Sequence, residues 1–221
     1  VEAMVRIERP AMISMDSLDA EMEFFGGIQN GLRSASYTVR SYQHFTNWFE
    51  RLDVENFEQF MASRTSVLRN TYHRKRRKLL REYDTTFALE TDPNKLAGLL
   101  DAYETVYRAS WKHPEPYPDF VPKLARAAAA AGALRMGALY LDGRPVAAQI
   151  WLVAGSSATI FKLAYDDTYK KLSVGTVLTG HIMQHAIDVD GVKEIDFGRG
   201  DETYKSQWLT QRRERYGLIA F

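Results

Sequence analysis

The sequence predicts a mixed α/β domain of the α+β type, built on one central sheet. Two strand-forming segments, residues 134–141 and 145–154, are joined by Asp142-Gly143, which is a strong short hairpin signal. A third strand-forming segment follows at residues 158–165, so the three segments form an antiparallel meander. A helical segment then leads to a strand at residues 193–197. We expect this strand to run parallel to the third one because a helix crosses over between them.

Other segments supply further helices and strands around this sheet. Apolar residues at helical spacing predict a helix over residues 17–32, and residues 56–82 are helical as one or two helices. Residues 1–15 show no clear pattern. We also predict strands at 36–42, 87–90 and 216–221, a packed segment at 45–51, helices at 92–112 and 120–131, and a proline-rich loop at 113–118.

The composition is that of an ordinary soluble globular chain. Of the 221 residues, 45% are hydrophobic and 26% are charged, and a net charge of +1 does not argue for nucleic acid. The absence of cysteine excludes disulfides, thiol nucleophiles and cysteine–zinc sites, and we expect a cytoplasmic protein. No apolar run approaches the roughly 20 residues of a membrane helix, and no signal peptide is recognisable. The chain begins at Val1 without an initiator Met, which fits a piece of a longer protein.

The stretch Lys170–Thr176 is the first candidate for a binding site. It precedes the helical segment 177–187, and the free N–H groups and dipole of a helix N-terminus can hold an anion. Gly175 lets the backbone approach a phosphate closely, while Lys170 and Lys171 add positive charge. The stretch is neither a Walker loop nor a Rossmann fingerprint, so an ordinary strand-to-helix turn stays open as the alternative.

The basic part of the helical segment, Arg74–Arg81, is the second candidate. Six of its eight residues are arginine or lysine. One interpretation is a docking surface for an anionic partner, namely phosphate, tRNA or an acidic membrane surface. The other is a solvated helix face.

The order of elements resembles the GNAT acyltransferase fold, in which a mixed central sheet with an antiparallel meander carries helices on both faces. The pyrophosphate loop of that family reads Gln/Arg-x-x-Gly-x-Gly/Ala. Here Lys170-x-x-Ser173-x-Gly175 matches the spacing, with Lys and Ser as departures from the pattern.

A closer resemblance is to BioF2-like/CelD-like acetyltransferases, which are related to the FemAB and FemX aminoacyl transferases. It rests on the basic helix, on Gly143–Gln149, on Tyr165-Asp166, and above all on the string from Asp196 to Trp208. The resemblance implies a GNAT domain at residues 61–221, preceded at residues 1–60 by the remnant of a first GNAT-like domain or an extension. Members of this group are implicated in making cell-envelope polysaccharides and peptidoglycan.

The resemblance implies an N-acyltransferase that joins an acyl-CoA, acetyl-CoA or longer, to an amine in a ternary complex. The splayed strands would bind the donor's arm by β-addition, and the loop would bind its phosphates. No metal is expected, because His181 and His185 lack a third ligand. The donor contacts are assigned to Phe161, Lys162, Leu163, Ala164, Lys170, Lys171, Ser173, Val174, Gly175 and Thr176.

The catalytic assignment follows from the FemX-like aromatic–Lys pair, which Tyr204-Lys205 resembles. We expect Lys205 to point into the cleft and steady the oxyanion; a surface lysine beside a buried tyrosine is the alternative. Asp196 and Asp201 could orient Lys205 or Arg199 or accept the amine proton, or, as we prefer for Asp201, cap the loop backbone. Acceptor contacts are assigned to Trp111, His113, Tyr117, Gln149, Tyr165 and Arg199.

Two other functions stay open. An aminoacyl-tRNA-dependent transferase of the FemAB kind is favoured somewhat by the basic helix. The second is a catalytically silent GNAT-like module that binds nucleotides or envelope precursors. In either enzyme reading, the acceptor is a small-molecule or envelope-precursor amine.

Overall fold

In a computed structural model that describes residues 10–221, one mixed eight-stranded sheet has the strand order β1-β8-β2-β7-β6-β5-β4-β3. The strands are β1 (Ile13–Leu18), β2 (Val39–Arg51), β3 (Thr85–Glu90), β4 (Leu134–Leu141), β5 (Arg144–Ala154), β6 (Ser157–Tyr165), β7 (Glu194–Arg199) and β8 (Gln211–Ala220). The helices are α1 (Glu23–Ser34), α2 (Phe57–Ala62), α3 (Ser66–Glu82), α4 (Ala97–Arg108), α5 (Phe120–Ala130), α6 (Val174–Asp188) and α7 (Thr203–Trp208), with 3₁₀ turns at Pro93–Lys95 and Asp167–Leu172.

The predicted fold class is confirmed. Strands β4, β5 and β6 form the antiparallel meander, and β7 runs parallel to β6. The hairpin between β4 and β5 turns at Asp142 and Gly143, both of which have positive φ angles of 50° and 76°. Two such residues in succession are what a two-residue hairpin loop requires.

Helices cover the sheet on both faces and make two hydrophobic cores. On one face, α6 is packed with α2, α3 and α7 over the Trp151 side of the sheet. On the other, α4 and α5 cover the Met136 side. Close packing brings α3 against α6: a Cβ at Gly180 would lie 2.2 Å from a carbon of the Tyr72 ring. Only glycine fits there, and α3 is thereby held beside the segment that precedes α6.

The residues before 60 contribute to the same sheet as the rest of the chain. Strand β2 lies between β8 and β7. Glu50 of β2 accepts a hydrogen bond from Arg64 at 2.9 Å, and its other oxygen accepts from the Thr210 backbone at 2.6 Å. The predicted division between residues 60 and 61 falls inside α2 (Phe57–Ala62), and a first-domain origin for residues 1–60 stays a prediction.

Several element predictions were wrong in extent. Residues 17–18 end a strand and only residues 23–34 are helical, because Leu18 pairs with Tyr216 of β8. The last strand begins at Gln211 rather than 216, since its charged first half pairs with β2. Helix α7 was not foreseen, and the predicted strand 36–42 and packed segment 45–51 are one bulged strand. Residues 1–9 lie outside the described residues.

Candidate functional site

The two parallel strands diverge along their length. Strand β6 pairs with β7 only from Ser157 to Thr159, the last partner being Asp196. Beyond that point β6 continues to Tyr165, paired on its other side with β5. The β7-facing backbone of residues 161–164 is therefore an open edge, as the sequence predicted, and can accept an extended amide chain.

The N-terminus of α6 begins directly after the 3₁₀ turn that follows β6. Ser173 adopts the left-handed conformation (φ 55°, ψ 39°), and no side chain caps the helix. The family pattern has glycine at this position, and Ser173 keeps the conformation that glycine would provide. The first helical N–H groups, from Val174 to Thr176, have no acceptor within the helix, so this end can bind an anion.

The basic helix α3 reaches this turn. The Lys75 ammonium donates a hydrogen bond to the Lys171 carbonyl. Burial lowers the pKa of Lys75, and the neighbouring Arg74 and Lys78 lower it further. Lys75 thus brings one positive charge of α3 next to the two lysines of the turn before α6.

Gln149 is buried and hydrogen-bonded within the protein, which corrects its predicted role as a contact to the acceptor amine. It is 1% exposed, donates to the Gly175 carbonyl at 3.2 Å and to Thr179 Oγ1 at 2.7 Å, and accepts from the Trp151 indole at 2.8 Å. The contacts to Gly175 and Thr179 join β5 to the first two turns of α6, and the contact from Trp151 holds the Gln149 amide in place. Its role is to support the anion-binding turn rather than to touch substrate.

Tyr165 and Trp111 lie beside the same turn. Their ring centres are 4.6 Å apart, and a Cβ at Gly175 would approach the Tyr165 ring to 3.0 Å. The pair therefore forms a wall next to the anion-binding turn. Tyr117, in contrast, is 75% exposed, and the Arg199 guanidinium lies over the Phe45 ring of β2 at 5.5 Å.

Lys205 is buried at the end of β7. Its ammonium donates to the Arg199 carbonyl at 2.7 Å and to the Gly200 carbonyl at 3.5 Å, and it lies 2.9 Å from the Glu202 carboxylate. The alternative of a surface lysine is wrong, because the side chain is buried and anchors the loop after β7, and its catalytic role stays a prediction. The long contact to Gly200 leaves one N–H only weakly engaged.

Neither predicted aspartate contacts Lys205, and Asp196 instead satisfies loop backbone at Gly198, which was the alternative left open for both residues. Asp196 accepts from Asn47 at 2.7 Å, from the Gly198 amide at 2.6 Å and from Arg213 at 2.5 Å. A carboxylate engaged in this way is structural rather than a free base.

Asp201 was expected to cap loop backbone, but its oxygens accept from side chains. The Trp48 indole donates at 2.6 Å and Arg212 at 2.9 Å. These bonds tie the loop after β7 to β2 and β8.

Sequence reasoning missed the partner of Lys205. Burial raises the pKa of Glu202, but the hydrogen bond and charge of Lys205 outweigh it and the net pKa is lowered. The spacing of the two residues, i and i+3 at the start of a short helix, was the available signal. The ring centres of Tyr204 and Phe197 are 6.3 Å apart. Burial, and after it the charge of Glu202, raises the pKa of Tyr204, so its hydroxyl stays protonated.

The loop between α4 and α5 contacts a side chain of β6. Glu115 pairs with Lys162 of β6 at 2.7 Å. The Tyr107 hydroxyl donates to the His113 carbonyl at 3.1 Å, so His113 contributes its backbone to the loop's fold. Lys112 adds an ammonium group between these contacts. Of these residues, His113 was predicted, whereas Glu115 and Lys112 were missed because nothing in the proline-rich pattern marks them.

A diverging parallel strand pair beside an uncapped helix N-terminus, joined to an antiparallel meander, defines the GNAT acyltransferase fold. A family model described as "Acetyltransferase (GNAT) domain" matches residues 66–206, more than half of the chain, and the protein belongs to that family. It is accordingly an N-acyltransferase. No protein of curated function matches the sequence significantly.

Solved structures agree with this fold. The chain is similar to FemX (TM-score 0.72, 12% identity), over 99% of this chain and 74% of that one. It is also similar to the C-terminal domain of a putative lysylphosphatidylglycerol synthetase from Agrobacterium fabrum (TM-score 0.67, 14% identity), over 99% of this chain and 71% of that one. A third similar structure is L-PGS from Bacillus licheniformis (TM-score 0.66, 13% identity), over 99% of this chain and 70% of that one. The predicted GNAT family is confirmed by the family model, and the resemblance to FemAB-related transferases extends to the fold. Within residues 10–221, no helix is both long and apolar enough to span a bilayer.

Proposed function

We propose that this chain transfers an acyl group from an acyl-CoA, acetyl-CoA or longer, to an amine. The observation that carries the proposal is the uncapped N-terminus of α6, entered through left-handed Ser173, beside the open edge of β6. A CoA thioester offers a diphosphate joined to an extended arm containing two amides. The helix terminus suits the diphosphate, and the strand edge suits the arm.

The residues around the α6 N-terminus fit a diphosphate. Three helical amides at residues 174–176 can donate to its oxygens, and Lys170 and Lys171 are exposed beside them. Lys75 adds a third ammonium through its contact with the turn. The helix dipole and these charges act in the same direction.

In the proposed reaction, a neutral acceptor amine attacks the thioester carbonyl and forms a C–N bond. The carbonyl oxygen becomes an oxyanion, and the C–S bond then breaks to give an amide and the CoA thiol. The least engaged N–H of Lys205 is suited to the oxyanion. The Tyr204 hydroxyl, whose pKa is raised by burial, can give its proton to the leaving sulfur, and the proton that the attacking nitrogen loses can then return to the Tyr204 oxygen.

The acceptor side of the proposal uses the α4–α5 loop and the Trp111–Tyr165 wall. The resemblance to envelope-polysaccharide and peptidoglycan enzymes supports an envelope precursor as acceptor and a location in the cytoplasm. Both belong to the proposal, together with the assignment of residues 61–221 as the acyltransferase domain.

The donor is tested by the thermal stability of the protein with and without acetyl-CoA. A ligand that binds only the native state at about 100 times its Kd stabilises it by about 2.7 kcal/mol, so Tm should rise. Thr176→Asp should abolish the rise, because a carboxylate in the first helical turn favours the helix but repels phosphate. Ser66→Asp places the same charge in the first turn of α3 and should leave the response unchanged. No response of the wild type to any CoA ester contradicts the donor assignment.

A second candidate, an aminoacyl-tRNA donor, is favoured by the contact between α3 and the α6 turn. The contact joins the stripe Arg74–Arg81 to the phosphate-binding end. A polyanion longer than CoA would engage both parts. Stabilisation by charged tRNA without any response to CoA esters would select this candidate. A response to envelope nucleotides alone, without turnover, would select a silent binding module.

A further inference from the structure

The α4–α5 loop holds an ammonium group that no described carboxylate neutralises. Lys112 is half-buried, with its Nζ 5.6 Å from the Trp111 ring centre and 5.7 Å from the Tyr107 ring centre. Among residues 10–221, no carboxylate oxygen lies within 4 Å of this nitrogen. The two aromatic rings attract the cation but do not neutralise its charge.

The nearby carboxylates are already committed to other lysines. Glu115 binds Lys162 at 2.7 Å, and Glu202 binds Lys205 at 2.9 Å. Each therefore attracts Lys112 only at longer range. The cluster of three lysines and two glutamates carries one uncompensated positive charge, and that charge belongs to Lys112.

The backbone of Lys112 is fixed rather than free to swing. Its amide donates to Ser110 Oγ at 3.4 Å, and that hydroxyl donates to the Tyr107 carbonyl at 2.7 Å. One residue before Ser110, the Ala109 carbonyl accepts a hydrogen bond from the Asp167 amide at 3.2 Å. The loop is thus held both to the end of α4 and to the turn that follows β6.

An ammonium in this position is poised for an anion. Burial lowers the pKa of Lys112 and Lys162 lowers it further, while Glu115 and Glu202 act in the opposite direction. A partly desolvated cation without a counter-ion raises the free energy of the folded state. An anion entering beside it would relieve that cost and gain a charge-assisted hydrogen bond.

We propose that Lys112 binds an anionic group, a carboxylate or a phosphate, carried by the acceptor amine. The enzyme would then select acceptors that combine an amine with a negative charge. The inference rests on the proposed amine acylation, since the Lys112 ammonium lies near the Trp111 ring, which packs on Tyr165 at the end of β6. It is a specificity residue in this arrangement and takes no part in bond formation.

The test is equilibrium binding by calorimetry with matched probes at constant ionic strength. Phosphoethanolamine is compared with ethanolamine, and 6-aminohexanoate with hexylamine, so the two pairs separate phosphate from carboxylate. We expect the wild type to bind the anionic member about tenfold or more tightly in at least one pair, the scale of one charged hydrogen bond. Lys112→Gln should remove this preference, and Lys112→Arg should retain most of it. The control is Lys123→Gln, whose lysine pairs with Asp119 on the exposed side of α5.

Two results would overturn the inference. One is equal or undetectable binding of both members of each pair by the wild type. The other is a loss in K112Q that is the same for neutral and anionic probes, because it would mean a role in folding the loop. CoA binding, measured separately, keeps the two proposals distinct. A CoA response without probe selectivity defeats only the Lys112 assignment, and selectivity without a CoA response defeats only the donor assignment.

Discussion

The Lys205 ammonium and the Glu202 carboxylate lie 2.9 Å apart, one 3% exposed and the other 59% exposed. The pair runs from the interior to the surface at the end of β7. The same ammonium holds the Arg199 carbonyl at 2.7 Å, so it shapes the loop beside the diverging strands. A group held this firmly can meet a developing oxyanion without reorganising, which is the condition for electrostatic catalysis.

Replacement of Lys205 by Met should lower both turnover and stability. Turnover should fall by on the order of 10²-fold, the effect of losing one oxyanion donor. The free energy of unfolding should fall by about 1–3 kcal/mol, because two carbonyls and Glu202 lose their buried partner. Turnover is measured at saturating donor on the folded fraction, and stability by urea titration.

The matched control is Glu202→Gln. It keeps the ammonium and the carbonyl contacts, so we expect it to lose far less turnover than Lys205→Met. A folded Lys205→Met enzyme with full turnover would remove Lys205 from the catalytic proposal. Equal losses in both variants would indicate that the pair acts by shaping the loop alone.

The meander, the parallel β7 and the helix after the loop could be predicted from local signals. The Asp142-Gly143 pair predicts a two-residue hairpin loop between antiparallel strands, and a helical crossover predicts that the next strand is parallel. Strand β1 and the first half of β8 could not, because the charged residues of Gln211–Arg215 hide the alternation. Strand β1 forms through pairing with β8, and the first half of β8 through pairing with β2, both across 160 residues or more, which no local pattern contains.

Residues of the candidate site could likewise be predicted only where a local sequence pattern marks them. The Lys170–Thr176 loop was found because a family spacing and a helix start coincide there. The partners of Asp196 are Asn47 and Arg213, from strands distant in sequence, so nothing local showed that its carboxylate is fully engaged. Lys112 and Glu115 were missed for a related reason: only the folded loop brings them to β6.

Ser173 offers a test of the anion-binding turn. Ser173→Gly should keep donor affinity, because glycine adopts the left-handed conformation without strain. Ser173→Val should cost about 1–2 kcal/mol or more, because a β-branched residue is strained at this φ, and donor affinity should fall as the turn rearranges. Urea unfolding and acetyl-CoA titration measure the two effects. Unchanged donor affinity in the valine variant would speak against this turn as the phosphate site.

Reversal of charge on α3 tests the partner of the basic helix. The double variant Arg74→Glu, Arg77→Glu should weaken tRNA binding steeply and reduce its salt dependence if this surface docks a polyanion. Binding is measured by filter retention at several salt concentrations. The double variant Lys123→Glu, Arg126→Glu, on the exposed surface of α5, makes the same change in net charge and is the control. Unchanged affinity at low salt would return α3 to the role of a solvated face.

Asp196 should matter for stability and not for proton transfer. Arg213→Met leaves Asp196 and Glu194 without their shared partner and should cost about 3–5 kcal/mol, the scale for breaking a buried ion pair. Asp196→Asn should be less stable than the wild type, yet the folded enzyme should keep its turnover number within a few-fold. A drop of 10²-fold or more in folded Asp196→Asn would restore Asp196 as a base.

His181 should make stability depend on pH. Its ring stacks on Phe87 at 4.5 Å, and burial lowers its pKa below the ordinary 6.5, with Arg76 and His185 lowering it further. As pH falls through 6.5, the unfolded chain takes up a proton that folded His181 does not. The free energy of unfolding should therefore fall between pH 7.5 and the lowered pKa.

His181→Phe removes the titration and keeps the stacking, so its stability should change less over this range. Arg76→Gln should also reduce the slope, since it removes one cause of the shift. Urea unfolding at pH 7.5 and 5.5 measures all three proteins. A slope in His181→Phe equal to that of the wild type would assign the pH dependence to other groups.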